Sequence, residues 1–133
     1  MQYEYNNEVE LELDCFISEM LIKIGCKIKH NGFYFTKDAI KLIFKYGCRY
    51  GELNSIYAII AKKYGKTFYS VQGGIRRFVE RFCASADPKI VYNAISLPIY
   101  YRDAGLPASE FLTIMAEQVK KAFVYYNDTL YKR

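Results

Sequence analysis

The stretch from Ser55 to Arg81 constrains the fold more than any other part of the chain, because it reads as two amphipathic helices joined at a glycine. Ala61 is small where two helices would cross, Gly65 follows four residues later, and branched Val71 lies six beyond that. Each residue has a steric reason to be there. A larger side chain at Ala61 would push the helices apart, Gly65 can take the left-handed conformation that ends the first helix, and Val71 turns the second into the core. Thr67 is the expected N-cap of that second helix. The spacing is that of a helix-turn-helix.

If residues 68–82 are helical, a rotation of about 100° per residue places Val71, Ile75, Phe78 and Phe82 on one narrow inward stripe. Tyr69, Gly73, Arg76, Arg77 and Glu80 then occupy the opposite arc, with Ser70, Gln72 and Arg81 on its flanks. This is the surface that a recognition helix offers to a major groove. An ordinary amphipathic helix with a solvated basic face produces the same pattern.

The distribution of charge bears on that choice. The net charge is +5, but residues 1–20 hold six acids and no bases, whereas residues 21–81 hold thirteen bases against three acids, a block of +10. A basic field centred on the helix pair favours a polyanionic partner. No apolar run approaches the ~18 residues of a membrane span, and the acidic start is unlike a signal peptide, so a cytoplasmic protein without a membrane partner is expected. Cys15, Cys26, Cys48 and Cys83 are widely spaced, with only His30 to help them. Buried reduced thiols are therefore expected rather than a metal site. His30 reads as a surface histidine.

With 52% hydrophobic residues in 133, the chain can bury one real core. Residues 1–10 are expected to fray, although their acids could dock on the basic middle. Leu13, Phe16, Ile17, Met20, Leu21 and Ile24 predict a helix over 11–24 that Gly25 ends. Residues 26–35 alternate around Asn31-Gly32 and fit either a short hairpin or a loop, with Thr36 capping a helix over 37–46. After the break at 47–51 come helices over 53–64 and 68–83. Asp87 caps a short helix from Pro88 to about Ser96, residues 97–108 are expected as loop, and a last helix runs from Ser109 to about Tyr125. Phe111, Leu112, Met115, Val119, Ala122 and Phe123 form its inward face. The expected fold class is all-α, about six helices in one domain. An acidic extension over 1–17 runs into the first helix, the helix-turn-helix domain spans 18–126, and 127–133 form a tail.

Several stretches together resemble the C-terminal effector domain of the sporulation master response regulator, the stage-zero regulator A family. They are Ile24-Gly25, the run Gly32-Phe33-Tyr34-Phe35-Thr36-Lys37-Asp38-Ala39-Ile40, Ile60-Ala61-Lys62-Lys63-Tyr64, and Ser109-Glu110-Phe111. Their order and spacing are similar over about residues 18–124. The resemblance implies an all-helical transcription factor that binds double-stranded DNA, often as two copies on tandem sites. Two departures stand out. Only an acidic stretch of about twenty residues precedes the matched region, so no phospho-receiver switch is expected to carry over. In the recognition helix Val71, Ile75, Arg76 and Glu80 are kept, whereas the family's polar trio Arg, Glu, Arg is replaced by Ser70, Gln72 and Gly73.

These readings lead to a sequence-specific regulator as the expected function. Gln72 and Arg76 are the best-placed base readers, because glutamine suits adenine and arginine suits guanine. Ser70, Gly73 and Tyr69 lie beside them. Lys62, Lys63, Lys66, Thr67, Arg77 and Arg81 are the candidate phosphate contacts. The rival is a protein-interaction module that keeps the fold, pairs with a related regulator and reads no DNA, which the missing trio and Gly73-Gly74 favour. No catalytic set, phosphate-binding glycine loop, metal-ligand spacing or cofactor motif is present in the sequence, so an enzyme is not expected.

Overall fold

A computed structural model describes residues 7–29, 31–47, 52–95 and 106–131. All regular structure among them is helical: α1 Asn7–Lys23, α2 Asn31–Tyr46, α3 Leu53–Tyr64, α4 Phe68–Ser85, α5 Pro88–Ile95 and α6 Ala108–Tyr131. The expected six-helix, all-α architecture is what forms. His30, Cys48, the break at 48–51 and most of the loop over 97–108 lie outside the described residues.

α2 is the hub. It packs against α1, α3, α4 and α6, and one continuous core runs through all of these contacts. Aromatic edges lock the crossings. Phe33 meets Phe78 of α4 at 6.2 Å and Phe35 meets Tyr64 of α3 at 5.3 Å, while Phe123 of α6 is wedged between Phe16 and Phe44 at 5.8 and 5.7 Å. Such edge-to-face pairs favour one packing arrangement in addition to the area they bury.

Two helix starts differ from the sequence reading. Helix α1 begins at Asn7, so residues 7–10 are helical rather than frayed, while residues 1–6 lie outside the described residues. Glu8 and Glu10 sit in its first turn and Lys23 in its last, matching the helix dipole at both ends. Its buried Leu13, Ile17 and Leu21 hold it to the core. Glu10 pairs with Lys45, and Asp14 bonds Lys37 at 3.1 Å and Lys41 at 3.2 Å, so one described acid of residues 1–10, Glu10, docks on the basic middle and Asp14 beyond it does the same. Partial burial opposes the charge on Asp14, but the hydrogen bonds from Lys37 and Lys41 outweigh it and lower the carboxyl's pKa. That stabilisation is present above the ordinary carboxylate range and is lost as pH falls through the lowered value.

Helix α2 begins at Asn31, neither as a hairpin nor at a Thr36 cap. Thr36 is fully buried in mid-helix, and its hydroxyl makes no hydrogen bond among the described residues. The cause is tertiary. Gly32 is buried where α2 meets α4, and a Cβ there would lie 2.8 Å from the Gly74 carbonyl oxygen. The glycine that resembled a turn signal is a point of close helix approach.

α6 continues to Tyr131 rather than about Tyr125, and Ala122 is exposed while Ala116 is buried in its place. Of the thiols, Cys26 is buried, but Cys83 is only half-buried and Cys15 is exposed. Burial, with a smaller contribution from Cys83, pushes the Cys26 pKa up to about 12, so it stays a neutral packing group. Asp87 behaves as expected at the start of α5, accepting the Lys89 N–H at 2.9 Å.

Candidate nucleic-acid interface

The turn is built as its residues dictate. Gly65 has φ 63° and ψ 36°, and the N–H of Lys66 reaches back to the Ala61 carbonyl at 2.9 Å, closing α3 with a left-handed cap. Thr67 then takes an extended conformation, and its hydroxyl accepts the Ser70 N–H at 3.0 Å, opening α4. Tyr57 packs on Phe68 at 5.9 Å across the corner, and Ala61 is buried at the crossing. Val71, Ile75, Phe78 and Phe82 are all buried, with Val79 as an additional inward residue, so the rotation of α4 about its axis is fixed.

That rotation decides what the outer face offers. Tyr69, Ser70, Gln72, Arg76, Arg77, Glu80 and Arg81 are exposed, Tyr69 to 79%. Gly73 is the exception on this arc: it is buried, and a Cβ on it would lie 3.0 Å from the Arg77 guanidinium. Arg76 lies 3.9 Å from Glu80 one turn on, and both side chains are mostly exposed. A pair of that kind contributes little and leaves Arg76 free to exchange partners.

Gln72 and Arg76 also line one side of an open groove of about 650 Å³, closed by Leu53 and Tyr57 of α3 and by Pro107 at the start of α6. The 3.6-residue period gave the direction of these two side chains. It gave no sign of the groove, whose other walls come from distant parts of the chain.

The cations are not equivalent. Lys37, Lys41 and Lys45 of the basic block are engaged by α1, well away from the turn in sequence. Lys63 donates to Asp38 at 2.9 Å, although its side chain remains 55% exposed. Asp38 is buried and also accepts the Tyr64 hydroxyl at 2.6 Å. Burial first, and then this bond, raises the Tyr64 pKa, so the phenol stays protonated and continues to donate. Asp38 was missed by sequence reasoning. Together with Lys63 and Tyr64 it ties α2 to the last turn of α3, fixing where the turn sits. Lys62, Lys66, Arg77 and Arg81 are exposed and form no ion pair among the described residues. Lys66 and Thr67 adjoin the N-terminus of α4, the positive end of its dipole, where phosphate oxygens are favoured.

A capped helix-turn-helix with a polar, cation-flanked second helix, set on an all-helical core, defines a helix-turn-helix effector domain. The profile of the family described as "Sporulation initiation factor Spo0A C terminal" matches residues 17–119, most of the chain, and the protein belongs to that family. Domains of this family are DNA-binding, transcription-regulating modules of sporulation. No curated protein matches the chain. Among the described residues no helix is long and apolar enough to cross a membrane.

Proposed function

We propose that the domain binds duplex DNA with the outer face of α4 in the major groove, and that its base preference differs from that of family members carrying the Arg, Glu, Arg trio. Gln72 and Arg76 read base edges, while Ser70 and Tyr69 contact neighbouring positions. Gly73, buried beneath the Arg77 guanidinium, offers the groove neither a side chain nor an open backbone. Lys62, Lys66, Thr67, Arg77 and Arg81 hold phosphates, and Lys63 does so only by sharing its ammonium with Asp38. The observation that carries this reading is the fixed rotation of α4: its inward stripe is fully buried, so the residues left outward are a row of hydrogen-bonding and cationic groups beside a capped helix start.

Base contacts specify and phosphate contacts position, so variants separate into two groups. Arg76→Ala and Gln72→Ala should each change which sequences are preferred, losing about 1–3 kcal/mol of discrimination at one base pair. Lys62→Ala should weaken binding to every sequence by a similar factor. Affinities measured across a panel of single-base-pair substitutions distinguish the two. A uniform loss from Gln72→Ala and Arg76→Ala would mean that the reading face lies elsewhere.

The rival reading, a module that pairs with a related regulator, is favoured by the exposure of Tyr69 and of Ile59, 53% exposed on α3. On that reading Tyr69→Ala abolishes pairing, and the cation variants leave it unchanged.

A further inference from the structure

On the other flank of α4 from the groove of Gln72 and Arg76, the chain leaving α1 folds against the C-terminal half of the helix. Gly25, at φ 102°, turns the backbone, and the N–H of Cys26 bonds the Leu21 carbonyl at 2.9 Å. Buried Cys26 anchors the loop. Between loop and helix lies a half-open cavity of about 330 Å³ with Phe78 and Phe82 among its lining and Lys27, Lys29 and Arg81 around it. All three cations are exposed, and none is in an ion pair among the described residues. Arg81 follows Arg77 by one turn of α4, so the cations continue the charged side of the outer face rather than forming a separate patch.

We infer that Lys27, Lys29 and Arg81 form a second backbone clamp, which holds phosphates of one strand of the duplex whose bases face α4. The inference rests on the DNA-binding reading above and extends it to a loop outside the helix-turn-helix. A polyanion suits the site better than a small anion does. Exposed lysines hold a single small anion weakly in salt, whereas a row of cations along a duplex displaces condensed counterions with each phosphate met. The apolar floor then lies under the sugar edges between phosphates.

The test compares the parent with Lys27→Gln/Lys29→Gln on random-sequence and selected duplexes over a range of salt. Neither lysine is buried or paired, so thermal melting should be unchanged. The clamp predicts that the double variant loses affinity on the order of 30-fold near 0.1 M salt on every sequence. Its slope of log K against log salt should be shallower by about 2, and its preferred site unaltered. A parent that binds duplex DNA while the double variant keeps the same affinity and slope would overturn the clamp and leave the DNA-binding reading standing. A parent that binds no duplex at any salt overturns both. A third outcome also overturns it: inorganic phosphate or a deoxynucleoside monophosphate bound through Lys27 and Lys29, with duplex affinity unaffected by their loss, would make the cavity a small-anion site.

Discussion

Replacing Gly32 with leucine is expected to destabilise the domain by about 3 kcal/mol or more, the upper range for forcing extra volume into a packed contact. Leucine is the better helix former by nearly 1 kcal/mol, so propensity alone would predict a gain. The loss comes from the crossing of α2 and α4. A Cβ at Gly32 lies 2.8 Å from the Gly74 carbonyl oxygen and 3.0 Å from the Phe78 Cβ, and neither atom can swing aside without moving α4. Gly73→Ala on α4 is the control, since only the flexible end of Arg77 stands in the way of its Cβ and the change should stabilise by up to about 1 kcal/mol. Urea denaturation of the two variants measures both. A Gly32→Leu protein as stable as the parent would mean that α2 and α4 do not pack glycine to glycine. Because α2 supports α4 from behind, the leucine variant should also lose DNA affinity, through the fold rather than through any contact with DNA.

The second large effect is on salt dependence. If Lys62, Lys66, Arg77, Arg81 and a shared Lys63 each neutralise a phosphate, log K should fall against log salt with a slope of about −4 to −5. Lys27 and Lys29 would steepen it towards about −6. Between 50 and 200 mM salt, affinity for duplex DNA then drops by roughly several hundred-fold to several thousand-fold. Fluorescence anisotropy on a random-sequence duplex measures the slope directly. A flat response would remove the phosphate contacts from the account, whatever the measured affinity.

The parts of the molecule legible in the sequence are those fixed by neighbours along the chain. Gly65 ends a helix and Thr67 starts one through bonds that span only a few residues, and the stripe Val71, Ile75, Phe78 and Phe82 follows from helical period alone. What the sequence concealed depends on partners far away in it. Asn31-Gly32 carries a local turn signal, but contact with Gly74 makes Gly32 part of a helix–helix crossing. The bonds from Lys37 and Lys41 to Asp14, and from Lys63 to Asp38, link residues 23 to 27 apart, and they redistribute the basic block that looked uniform as a count of charges. In the candidate site, the outward direction of Gln72 and Arg76 was legible. The guanidinium lying over Gly73 was not, nor were the groove walls supplied by α3 and α6.

The redistribution of charge sharpens the functional account. With the α2 lysines neutralised by α1, the exposed cations without an ion pair include those at the turn, along α4 and on the loop that follows α1. Lys23, Lys89, Lys120 and Lys121 are also exposed and in no ion pair among the described residues, so the cations beside α4 belong to a wider basic surface that attracts a polyanion.

Site selection from random duplex DNA, run in parallel on the parent and on Ser70→Arg/Gln72→Glu/Gly73→Arg, decides whether the outer face of α4 reads bases. The triple variant changes only that face and leaves the buried stripe intact. The Cβ of the new residue 73 meets only the far end of the flexible Arg77 side chain. Each protein is expected to enrich a defined site, and the two sites to differ at the base pairs facing residues 70–73. Enrichment of one identical site by both proteins, or of no site by the parent, would contradict base reading by that face.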